Sequence, residues 1–419
     1  MIFQFMMRQM TQIEQGGVAV IIKKFKKLFI FLLQLPIAIS VLLFLRLIRR
    51  WLLIRWGCLV SSRIGPFATS PELYLCRGDA GIDMPKQRHI DLFFLEELPL
   101  CNQQMLTMWK RVLRIFPSWL LRPLEQLNKL IPGGEIHQIR GETWDRHNLF
   151  DRYPSHLEFT LAEESRGKAG LNSMGIPADA RFICFMVRDS AYLNHHLPQQ
   201  DWNHHNYRDV DIQNYVLAAE TLAERGYFVI RMGAKVKFPL ESKNSRVINY
   251  ATNGMRDDFM DIYLGAKCWF CISSNTGIHS VPNIFRRPVI YTNDVPFGVL
   301  NTWFGSDLIL TKRHFYKNEN RELSFGENFQ QGVAYSPQEY EAKAIELKEN
   351  TPEEIRDVAL EMVERLEGTW QPHKDDEGLQ KKFWDLYPIN HRHRGVLWHG
   401  EVRARFGAVY LRNNQEWLK

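Results

Sequence analysis

The chain has 419 residues, 45% of them hydrophobic, enough for two packed domains and too apolar for a disordered chain. A formal net charge of +6, with no zinc-finger spacing, arginine-rich groove or aromatic RNA-binding signature, argues against a nucleic-acid partner. Six scattered cysteines, Cys58, Cys76, Cys101, Cys184, Cys268 and Cys271, build no disulfide framework and fit a reducing compartment.

Much of the positive charge is local. Lys23, Lys24, Lys26 and Lys27 precede an uncharged stretch at residues 28–45, and Arg46, Arg49, Arg50 and Arg55 follow it. As a helix rising about 1.5 Å per residue, that stretch covers roughly 27 Å, barely a bilayer core. Pro36 at its middle would kink a spanning helix or turn a re-entrant one back, and basic residues at both ends leave the orientation open. No small-residue cleavage site follows, so the segment is expected to stay. Residues 46–56, with Trp51 and Trp56 among arginines and aliphatics, have the composition of an interfacial amphipathic helix. Residues 1–57 are therefore expected to anchor the protein, with membrane contact through residues 28–56.

Beyond the anchor, residues 58–60 suggest a short strand, Gly65 and Pro66 a turn, and the stretch after Thr69 a helix, an opening suited to a first Rossmann-like domain over 58–176. Residues 89–95 look like a strand, 105–131 like helix interrupted at Pro117 and Pro123, and 161–175 like helix. From Pro177 the alternation sharpens. Strands are expected at 181–187, 227–230, 247–250, 268–272 and 288–291, and helices at 211–224, 257–264 and 277–283. This order implies a parallel sheet with right-handed crossovers over 177–336. Residues 337–419 are mostly helical in pattern, with starts at Pro337 and Thr351. Cys268 and Cys271 have CxxC spacing, but three residues apart on a strand they face opposite sides and share no metal or disulfide.

In an open parallel sheet ligands gather at the carboxyl ends of the strands, so the loops after Val187, Ile230, Ile272 and Tyr291 should share one crevice. The loop Ser273, Ser274, Asn275, Thr276, Gly277 leads to His279 at a helix amino terminus, whose free amides suit phosphate oxygens or serve as a plain cap. Arg231 could pair with a phosphate or in a structural ion pair, and Gly233 permits close backbone approach. Arg188 offers a donor fork to a diphosphate, or pairs with Asp189; Asp189 is either a general base or the group that orients Arg188. His195, His196, His204 and His205 lie too close together in sequence for an evident metal set, and suit a solvated loop or one catalytic base. Tyr207, Arg208 and Asp209 precede the helix cap Asp211 and are acceptor-contact candidates.

The segments 187–192, 207–215, 226–233, 258–264, 273–281 and 288–296 resemble a group of bacterial glycosyltransferases from surface-polysaccharide clusters. The resemblance weakens around Arg63, Gly65 and Pro66, where histidine is expected in place of Pro66. More distantly, residues 257–291 are similar to the donor end of lipopolysaccharide heptosyltransferases, which makes Ser274, Asn275, Thr276, Gly277 and His279 the expected donor contacts.

This resemblance implies an α/β, GT-B-like fold: two Rossmann-like domains facing a cleft, with an N-terminal hydrophobic membrane helix and a helical C-terminal tail. It implies transfer of a sugar from a nucleotide-activated donor to a lipid-linked or growing glycan acceptor at the cytoplasmic face of the inner membrane. No cofactor or metal is expected. Arg188 and Asp189 are the expected catalytic pair, Arg188, Arg231, Gly233 and Ser273 join the donor contacts, and Arg63, Gly65, Tyr207, Arg208 and Asp209 stand on the acceptor side. A nucleotide-sugar epimerase of the same fold and a non-catalytic membrane-bound assembly protein are the competing readings.

Overall fold

The computed structural model describes residues 22, 25, 26, 29, 33–196, 198, 201–388, 392, 393, 396, 397 and 400–419. The chain forms two compact units, each discontinuous in sequence: residues 1–59, 84–97 and 113–141 in the first, and 60–83, 98–112 and 142–419 in the second.

In the first unit, β1 (Leu53–Leu59) pairs in parallel with β2 (His89–Leu95). Trp56 and Phe94 from these strands pack with Ala38 and Leu42 of a helix over residues 33–48, and with Leu121, Leu124 and Leu127 of the helix Ser118–Asn128. The expected interfacial helix at residues 46–56 is thus the end of the 33–48 helix, a turn and then a strand. The reason is a charge partner distant in sequence. Asp91 on β2 takes Arg55 Nε at 2.7 Å and Nη2 at 2.5 Å, so the arginine is buried instead of facing lipid headgroups. Trp56 is 2% exposed and stacks on His137, and Arg46 donates to Asn128 Oδ1 and the Pro132 carbonyl. The expectation of membrane contact through residues 28–56 therefore fails for Arg55 and Trp56, which are buried. The expected apolar span falls partly on residues 28 and 30–32, outside the described ones. Among the described residues no helix is long and apolar enough to cross a membrane.

The second unit holds a seven-stranded sheet of β3 (Phe182–Met186), β4 (Phe228–Arg231), β5 (Val247–Ile248), β6 (Cys271–Ser273), β7 (Val289–Asp294), β8 (Leu308–Thr311) and a C-terminal strand, Arg405–Phe406. Its spatial order is Arg405–Phe406, β8, β7, β6, β3, β4, β5, and every pairing is parallel. All residues of β3, β6, β7 and β8 are buried, the pattern of strands covered on both faces, and this is why β3, β8 and the first half of β7 read as apolar runs without alternation. The helix Asp258–Lys267 leading to β6 is capped by Asp257, whose carboxylate accepts the Met260 N–H at 2.6 Å. Cys268 lies at that helix's end, its Sγ against the Gly265 carbonyl, so the expected strand start at 268 moves to Cys271; both thiols are free.

The tail from 337 differs from the expected helical extension. The helix Pro352–Glu367 starts at a Thr351/Glu354 capping box, as the sequence indicates, and its Ile355, Val358 and Met362 join the central core together with Phe383, Phe406 and Trp417. Residues 345–348 enter a three-stranded antiparallel sheet with 313–316 and 321–322. Parallel edge pairing of Arg405–Phe406 on β8 then makes the tail part of the domain itself. The first unit's sheet has two strands, and residues 60–83 and 98–112 cluster with the second unit, a division unlike the expected contiguous domain over 58–176.

Candidate functional site

The carboxyl ends of β3, β4, β6 and β7 open into a cavity of about 390 Å³ that lies within the second unit. Residues 186–189, 232–236 and 275–280 line it, with Asn301 and Trp303 beyond β7, so the four loops expected to share a crevice do so. The start of the helix Ile64–Asp79 supplies a further wall through Arg63, Gly65 and Pro66.

The loop after β6 divides its labour. Ser273 and Ser274 are buried and bond inward: Ser273 Oγ meets His279 Nδ1 at 3.1 Å, and Ser274 Oγ accepts the Arg188 N–H at 2.7 Å. Neither faces the cavity, whereas Asn275, Thr276, Gly277 and His279 do. Asn275 takes a left-handed φ of 53° and is pinned by its amide to Asp294 Oδ1 at 2.5 Å and by its carbonyl to Arg208. Thr276 is the N-cap of the following turn and makes no side-chain cap bond, which leaves helix-start amides for a ligand. His279, buried against Tyr291, is held neutral, its pKa lowered by burial to about 3.

Arg188 lines the cavity and has Asp209, not Asp189, as its ionic partner, Nε to Oδ1 at 3.2 Å. Burial, then the neighbouring Arg208, lowers its pKa to about 10. Asp189 accepts the Ala191 N–H at 2.9 Å on one oxygen and the Lys237 N–H at 3.0 Å on the other, so its carboxylate fastens two loops. Arg231 is 1% exposed, donates to the Met232 carbonyl and lies 3.9 Å from Asp189, behind the cavity wall. Gly233 does line the cavity; at φ 151° it is open only to glycine, and a Cβ there would stand 2.5 Å from Val236 Cγ1.

Among the acceptor-side candidates, Arg63, Gly65 and Arg208 reach the cavity. Tyr207 packs on Tyr340 instead, and Asp209 acts behind Arg188 while its carbonyl takes Lys312 Nζ at 2.7 Å. Trp144, Trp303, Arg256 and Asp261 also line the cavity and were not singled out from the sequence. They come from unrelated segments without motif spacing. Asp261 accepts Arg256 Nη2 at 2.6 Å and the Tyr250 hydroxyl at 3.1 Å, and burial raises its pKa to about 6.

One group among the described residues, Glu72, Cys76 and His156, has metal-ligand spacing. Arg286 already occupies it, Nη2 donating to Glu72 Oε1 at 2.6 Å and lying 3.4 Å from Cys76 Sγ, so the buried carboxylate is neutralised without an ion. His195 and His196 end the short helix Ala191–His196, and His204 and His205 sit in a single 3₁₀ segment, Asn203–Arg208.

No protein family matches the sequence, and no curated protein matches it as a relative. Solved structures that the fold is similar to include E. coli ADP-heptose lipopolysaccharide heptosyltransferase II, at 14% identity over 58% of this chain and 86% of that one, with a TM-score of 0.36. A family 9 glycosyl transferase from Veillonella parvula matches at 13% identity over 62% and 86%, with a TM-score of 0.39. An E. coli heptosyltransferase holding ADP-2-deoxy-2-fluoro heptose matches at 12% identity over 62% and 93%, with a TM-score of 0.28. The superpositions are loose, and the function of this chain rests on its own residues.

Proposed function

We propose that the protein is a glycosyltransferase that moves a sugar from a nucleotide-activated donor to a lipid-linked or growing glycan acceptor in bacterial surface-polysaccharide synthesis. One observation carries the reading. Arg63, Arg188 and Arg208, from three separate segments, line one cavity at the strand ends, with Asp209 as the counter-ion of Arg188. Three guanidiniums lining one cavity form a site for a multiply charged anion, and a diphosphate leaving group fits it. As the bond to the sugar breaks, negative charge grows on the diphosphate, and fixed cations stabilise it without reorganisation. The turn that opens at Gly277 adds helix-start amides to the same face. Trp144, Asn301 and Trp303 line the cavity beside them, where the sugar would lie. Asp189, with both carboxylate oxygens taken by backbone N–H groups, serves to fix the loop. The proposed chemistry uses no cofactor or metal.

Attachment to the cytoplasmic face of the inner membrane is the second part of this reading. Its support is the row of exposed apolar residues on the 33–48 helix, among them Ile37, Leu43, Phe44 and Leu47, with Trp51 just beyond and Arg49 and Arg50 close by.

The test is incubation of the purified chain with a panel of nucleotide sugars. Release of free nucleoside diphosphate supports transfer, an isomerised sugar indicates an epimerase of the same fold, and absence of binding indicates an assembly protein. In calorimetry, Arg188→Gln combined with Thr276→Val should weaken nucleoside-diphosphate binding at least tenfold; unchanged affinity refutes the assignment.

A further inference from the structure

We propose that Arg286, which stands outside the cavity, is a positioning residue for the donor site. Its guanidinium holds the helix Ile64–Asp79 against the helix Ser280–Ile284, which follows the turn at Gly277, and braces the aromatic wall at Trp303. The inference rests on the donor reading given above. The backbone marks the residue first. At the end of the helix Ser280–Ile284 the Arg287 N–H donates to the Pro282 carbonyl at 2.9 Å and the Arg286 N–H to the Asn283 carbonyl at 3.0 Å, and Arg286 takes a left-handed φ of 59°. Glycine is the usual residue at such a helix end, because a Cβ is disfavoured there. An arginine in that place needs bonds from its side chain to offset the disfavoured backbone.

Each nitrogen of the guanidinium is engaged. Nε donates to the Tyr153 carbonyl at 2.9 Å and Nη1 to the Ile284 carbonyl. Nη2 donates to Glu72 Oε1 at 2.6 Å and to the Pro154 carbonyl at 2.8 Å, and lies 3.4 Å from Cys76 Sγ. Three segments distant in sequence thus meet on one planar group, a geometry that a lysine ammonium does not reproduce. Glu72, the partner on the helix Ile64–Asp79, is fully buried and also faces His156 Nδ1 at 3.3 Å.

Glu72 lies two helical turns, about 10 Å, from Gly65 along the same helix. At the cavity end that helix meets the Gly277 backbone, where a Cβ on Gly65 would stand 3.3 Å from the Gly277 Cα. The two helices are therefore tied at both ends, and the pair at Glu72 fixes the angle at which Arg63 and the amides at Gly277 reach a ligand. The same guanidinium lies over the Phe150 ring, its carbon 4.8 Å from the centroid. Phe150 packs edge-on against Trp303 at 6.2 Å, and Trp303 against Trp144 at 5.8 Å, both tryptophans lining the cavity. One side chain thus connects the diphosphate side of the site to the wall where the sugar would lie. A misplacement of about 1 Å between reacting groups can cost on the order of a hundredfold in rate, so this residue governs turnover without touching substrate.

The test is calorimetry with inorganic pyrophosphate on the full chain, with urea denaturation of the same samples. Arg286→Lys keeps a cation beside Glu72 but loses the fork. Arg286→Gly combined with Glu72→Gln removes both charges together and suits the left-handed backbone. Each folded variant should bind pyrophosphate at least tenfold more weakly than the parent, and if the paired variant fails to fold, Arg286→Lys alone decides. Parental affinity in the folded variant overturns the inference and leaves the donor reading standing, whereas no pyrophosphate binding by the parent overturns both. In turnover of the nucleotide sugar from which the parent releases nucleoside diphosphate, Arg286→Lys should raise KM and lower kcat per folded molecule. A kcat that falls only in proportion to the folded fraction, at unchanged KM, shows a purely structural role and overturns the assignment.

Discussion

Gly65 and Gly277 meet backbone to backbone: a Cβ on Gly65 would stand 3.3 Å from the Gly277 Cα and 3.4 Å from its carbonyl oxygen. Two helix starts, at Ile64 and Gly277, are brought against the cavity by this contact. A branched side chain has no room there. Gly65→Val should cost about 1–3 kcal/mol of stability, in line with overpacking at a tight contact. It should also lower nucleoside-diphosphate affinity by spreading the two amide clusters. Urea denaturation and calorimetry on the same sample check both effects.

Arg55 and Asp91 form a bidentate pair with side chains 10% and 6% exposed. Asp91→Asn strands a buried guanidinium and should destabilise by about 3–5 kcal/mol, whereas Arg55→Met combined with Asp91→Leu should lose far less. A double-mutant cycle in urea separates the two costs.

His279 and His314 are both held neutral by burial, with pKa values lowered to about 3, His314 packing against Phe297 at 4.1 Å. Their folded values lie below the unfolded value, so the folded state binds fewer protons under acid. The stability they contribute is complete above about pH 6.5 and is lost as pH falls toward 3. Urea midpoints measured from pH 7 to 4 should fall steadily, and His314→Phe should flatten that slope.

Leu43 and Leu47 are 59% and 71% exposed on the helix over residues 33–48. If this face enters a bilayer interface, Leu43→Glu with Leu47→Glu should reduce co-sedimentation with anionic phospholipid vesicles at least tenfold without changing the thermal midpoint. Equal sedimentation of the variant and the parent removes this helix from membrane attachment.

Ser274 Oγ accepts the Arg188 N–H inside the wall of the cavity. Ser274→Ala leaves that amide unpaired and should cost about 1–3 kcal/mol. It should weaken pyrophosphate binding through Arg188 although Ser274 itself does not face the ligand. Measuring affinity beside stability distinguishes this from direct contact, since Thr276→Val should affect affinity alone.

The sequence by itself determined what is local. Apolar runs bounded by turn residues located β3, β4, β6 and β7 to within a few residues, and Thr351 marked a helix start. Strand alternation then led to a shared crevice, because parallel strands must present their carboxyl ends together. Tertiary structure decided everything that depends on a partner far along the chain. Whether Arg55 meets lipid or protein depended on Asp91, and Arg188 chose Asp209 over its neighbour Asp189 because the fold brings the later loop to it. Ser273, Ser274 and Arg231 belonged to the right loops but face inward, since a loop must satisfy its own buried polar groups before it can offer any to a ligand.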